Sequence, residues 1–109
     1  MYSSEPPNEA DTPLVQSVLE PLLNDFQYWF SESKTLLTSP KADCLDAEQR
    51  QSLIDQVEAT QQAVNTARTL LLATDGQAGV EPSLVMTWHQ LVLRCWQAAQ
   101  QIRQTSQAS

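Results

Sequence analysis

A chain of 109 residues can bury one hydrophobic core but not two comfortable ones, so a single domain is expected. At 41% apolar with only two glycines, it is neither disordered throughout nor rich in the turns an all-β fold needs, and helices are favoured. Six basic against thirteen acidic residues give a formal charge of −7 without a single run of Lys or Arg, which argues against DNA or RNA as the main partner.

Residues 1–11 are polar, acidic and interrupted by Pro6 and Pro7, a composition that cannot offset the entropy of ordering, and they read as a flexible tail. The folded domain is expected over 12–105. Its first helix should cover about 13–38, with Thr12 as cap and Pro13 in the first turn, where a missing N–H costs nothing. Val15, Val18, Leu19, Leu22, Leu23, Phe26, Trp29, Phe30, Leu36 and Leu37 form a broad apolar arc able to touch two helices, opposite Gln16, Glu20, Asn24, Gln27, Ser31 and Lys34. Pro21, inside this span, predicts a kink or break near residues 17–20 with its own side toward water.

The second helix, about 47–74, carries both its start and its stop. Asp46 caps it, with Gln49 in capping-box position and Glu48 complementing the dipole, while Gly76 offers a left-handed stop. Leu53, Val57, Thr60, Val64, Ala67 and Leu71 form a narrow stripe at spacings of four and three. The short connections over 38–45 and 73–82 bring each helix back against the previous one, with Pro82 as restart. In the third helix, about 82–104, Leu84, Trp88, Leu91, Val92, Cys95, Ala98, Ala99 and Ile102 make the stripe, and the residues after Arg103 should fray. The fold expected is therefore all-α, an antiparallel three-helix bundle with a kinked first helix. Laid side by side, the helices bring Arg68 level with Trp88, which predicts a cation–π contact, and Asp25 near the level of Gln61 and of Arg94 or Cys95.

Chemistry is sparse. His89 is the one histidine, and Cys95, six positions on, points about 120° away, so the two form no local dyad. No CxxC, HxxxH or Glu-x-x-His spacing suggests a metal, and the two-glycine loop near residue 76 lacks the Lys-Ser or Lys-Thr of a phosphate loop. No enzyme, cofactor or metal is expected. Cys44 and Cys95 do not make a disulfide framework, no signal segment is legible, and no apolar run is long enough to span a bilayer, so a soluble cytoplasmic protein is expected.

Binding is the better prospect. All thirteen acids lie at or before Glu81, leaving the third helix with Arg94 and Arg103 as its only charges. Met86 and Leu93 lie off its stripe and on one side, with Trp96 at the stripe's edge, and together they suggest an apolar patch that another protein covers. Trp29 and Trp88, by contrast, sit within their stripes and are expected in the core. The acidic first two helices would steer a basic partner.

The stretches PLLNDFQYWFSESKTLL (21–37), ATDGQAGVE (73–81) and WHQLVLRCW (88–96) resemble the small cyanobacterial proteins grouped as domain of unknown function 2605, over about residues 13–103. The resemblance implies a cyanobacterial, soluble, cytoplasmic protein and supplies no activity, cofactor or site residue. The functional expectation is a non-enzymatic interaction or adaptor module binding a partner through Met86, Leu93 and Trp96. The alternatives are a pigment or cofactor carrier using His89 and a structural protein in which a helical hairpin dimerises.

Overall fold

The structure, a computed structural model, describes the backbone of residues 8–75, 77 and 79–108 and the side chains of residues 17–75, 77 and 79–105. Three helices make the fold: α1 (Asn8–Leu37), α2 (Ala47–Ala73) and α3 (Pro82–Ala108), with a 3₁₀ turn, Pro40–Cys44, between the first two. Cross-helix contacts give their directions. Gln27 and Ser31 of α1 meet Gln61 of α2 while Lys34 meets Glu58, so α1 and α2 run antiparallel. Phe26 meets Trp88 and Trp29 meets Trp96, so α1 and α3 run parallel. The antiparallel three-helix bundle expected from the apolar periodicity is the fold observed.

The core joins Leu23, Phe26 and Phe30 of α1 to Val57, Val64 and Leu71 of α2 and to Trp88, Leu91, Val92 and Cys95 of α3. Because the apolar arc of α1 is broad, α1 packs against both other helices, whereas α2 and α3 meet only sparsely. An open cleft of ≈ 630 Å³ lies between α2 and α3, with Leu53 and Ala98 in its lining among Gln49, Gln56, Gln97 and Arg94. Ile54, which lies beside the expected α2 stripe, is buried as well, so the apolar side of α2 is wider near its start.

Helix ends follow local chemistry, with corrections. The Asp46 carboxylate accepts from the Gln49 amide at 3.1 Å, as a cap should. The α2 helix ends at Ala73, where Thr74 closes it with backbone and hydroxyl bonds to the Leu70 carbonyl. Gly76 lies outside the described residues; it is Asp75, at φ 54, that takes the left-handed conformation, which a short polar side chain tolerates better than most. Pro82 opens α3 as expected, but the helix continues past Arg103 to Ala108 instead of fraying.

The α1 helix begins at Asn8, about a turn before the expected Thr12 and Pro13, so residues 8–11 are helical where a tail was expected; residues 1–7 lie outside the described residues. The helix also runs through Pro21 as one span, with the proline exposed, so the missing donor is accommodated without breaking it. Residues 38–45 are more ordered than a plain connection. Ser39 and Pro40 start the 3₁₀ turn, and Ala42, 0% exposed, anchors it under the bundle.

Two pairings move. Among the described residues no cation–π contact joins Arg68 to Trp88; the Trp88 ring meets Phe26 edge-on instead, at 5.9 Å. Gln61 lies level with Gln27 and Ser31, about a turn beyond Asp25.

Candidate partner-binding site

The most unusual feature of the surface lies where α1 and α3 run side by side. Trp29 was expected in the core, yet it is 41% exposed, and its ring meets that of Trp96, itself 44% exposed, edge to face at 5.5 Å. Tyr28 extends the group, its ring 5.2 Å from Trp29. The reason is angular: Phe26 and Phe30 stack toward the interior, and Trp29, one position short of Phe30, is rotated about 100° from it, onto the flank facing α3.

Of the three residues expected to form a binding patch, all are exposed, Met86 most of all. Leu93 precedes Trp96 by three positions and is its neighbour on the helix surface. Met86 lies ten residues before Trp96, roughly 15 Å along the axis, so it stands apart from the aromatic pair. Next to the pair toward the other end, a cleft of ≈ 420 Å³ is lined by Trp29, Leu36, Trp96 and Ala99, with Lys41, Arg103 and Glu32 around it. Sequence reasoning missed this cleft because Lys41 reaches it through the 3₁₀ turn, which no periodic pattern announces. The one available signal was the absence of acids from α3.

The residues with reactive side chains are dispersed. His89 is exposed on α3 and lines neither of the two clefts described. Both cysteines are free thiols: Cys44 is exposed, while Cys95 is buried, its thiol pushed above its ordinary range by burial and pulled back in part by a hydrogen bond with Ser33 and by the Arg94 charge. Among the described residues no group of three His, Cys, Asp or Glu side chains could hold a metal ion, and no helix is long and apolar enough to cross a membrane.

A family model described as protein of unknown function (DUF2605) matches residues 9–104, and the chain belongs to that family. No curated protein and no solved structure matches it.

Proposed function

We propose that the protein is a non-enzymatic interaction module that docks a partner protein on the α1–α3 face, with Trp29, Trp96 and Leu93 as its anchors. One observation carries this reading: two tryptophans on adjacent helices are locked edge to face yet each keeps more than two-fifths of its surface in water. Large aromatics are costly to leave exposed and dominate interface energetics when covered, so a preformed, half-covered pair is the kind of anchor that hot spots use. The rings already hold each other in place, which lowers the entropy lost on docking. Met86, the most exposed of the expected patch, would touch a partner only if that partner ran along α3.

Affinity purification of a tagged copy from its own cells tests the proposal, run beside Leu93→Asp and Trp96→Asp versions. A partner that co-purifies with the parent chain and is lost with both variants supports it. A partner retained by both variants, or a set of proteins that does not change between the three, overturns it.

A further inference from the structure

The cations of this acidic chain are placed unevenly, and their placement bears on what docks. Lys34 pairs with Glu58 and Arg50 with Asp43, each at 2.9 Å. Arg68 lies on α2 with its Nε buried, and Arg94 lines the cleft between α2 and α3. Like Arg68 and Arg94, Lys41 and Arg103 have no ion-pair partner among the described residues, and both line the cleft beside Trp29 and Trp96. Glu32 is the one carboxylate in that lining, so two cations stand against one anion in a chain whose total is −7.

The local excess is built in by the fold. Ala42, fully buried, seats the 3₁₀ turn that carries Lys41 to the α3 side, and Arg103 follows Trp96 by seven positions on the same side of an acid-free helix. Resting on the interaction reading above, we infer that this cleft takes an acidic segment of a partner protein, with an apolar side chain seated against the two indoles and a neighbouring carboxylate meeting Lys41 and Arg103. The net charge does not decide otherwise, because at physiological salt charges more than about 8 Å away are largely screened and those around the cleft dominate contact. The expectation of a basic partner, drawn from the acids of the first two helices, is thereby reversed for this face. A second copy of the chain fits worse, since it brings the same two cations to the same patch.

The test uses three synthetic amphipathic helical peptides with identical apolar positions and Glu, Gln or Lys at the flanking ones, titrated into the full chain while the heat of binding is read by calorimetry. The Glu peptide should bind about fivefold tighter than the Lys peptide, as two exposed ion pairs allow, and the gap should close near 1 M salt. The Lys41→Glu, Arg103→Glu double variant should invert the order. Equal binding of all three peptides, or a preference for the Lys peptide by the parent chain, overturns the inference while leaving the docking face in place, provided Trp29→Ala, Trp96→Ala abolishes the binding. Binding that survives loss of both tryptophans, or no binding of any peptide at about 1 mM, overturns the inference and the docking face together.

Discussion

Phe26 and Trp88 meet edge to face at 5.9 Å in the interior, a buried counterpart of the Trp29–Trp96 pair on the surface, with an almost identical ring angle, 79° against 81°. Trp88 is only 3% exposed and Phe26 only 4%, so one geometry serves two purposes in one molecule. The buried pair closes the α1–α3 seam, and the exposed pair leaves part of it open.

The two pairs should separate in stability. Trp88→Ala should cost about 3–5 kcal/mol, the usual range for emptying an aromatic site in a core. Trp29→Ala or Trp96→Ala should cost about 1 kcal/mol, mainly the ring pairing. Urea unfolding followed by far-UV circular dichroism compares them. If Trp96→Ala proves as damaging as Trp88→Ala, the exposed pair is part of the core after all.

Along the other edge of α1, the polar side expected opposite the apolar arc forms a seam with α2. Gln27 Nε2 donates to the Gln61 carbonyl at 2.9 Å, Gln61 Nε2 donates to Ser31 Oγ at 3.2 Å, and Lys34 pairs with Glu58. Gln27→Ala should cost about 0.5–1.5 kcal/mol for one half-buried hydrogen bond. The Lys34–Glu58 side chains are 42% and 46% exposed, so a double-mutant cycle should give a coupling below about 1 kcal/mol that fades with salt. A larger, salt-insensitive coupling would show a seam drier than described.

Cys95 predicts an alkaline weakness. Burial raises its thiol above the ordinary 9.0, against the Ser33 hydrogen bond and the Arg94 charge, so the folded chain holds that proton more tightly than the unfolded chain does. Stability from this group is therefore complete below the unfolded value and is lost as pH rises through it toward the folded one. Measured from roughly pH 8 to 10, Cys95→Ala should have a shallower fall in stability than the parent chain, although its stability at neutral pH is lower. A thiol reagent at pH 8 should modify exposed Cys44 in the native protein and Cys95 only after unfolding; equal native reactivity would contradict its burial.

Asp75 holds a left-handed backbone at the end of α2, φ 54. Asp75→Gly should be neutral or stabilising by up to about 1 kcal/mol, and Asp75→Val should destabilise by more than that, because a β-branched side chain fits this conformation poorly. Thermal unfolding of both variants checks the order, and a Val variant as stable as the parent would place the strain elsewhere.

The pattern of apolar residues by itself determined that there are three helices, close to where α2 lies and where α3 begins, and most of the buried set. A spacing of three and four names one side of a helix whatever it packs against, and Asp46 and Pro82 act on their own backbone neighbours. Nothing local tells how far a helix is rotated toward each of two neighbours. Only tertiary packing decided that Phe26 and Phe30 would take the interior and turn Trp29 out beside Trp96, and that Gln27 and Ser31 would line a seam. The same holds for Lys41, which meets Arg103 across a cleft because a buried Ala42 holds the 3₁₀ turn in place. These are relations between residues distant in the chain, set by which apolar surfaces exclude water together, and no periodicity within one helix encodes them.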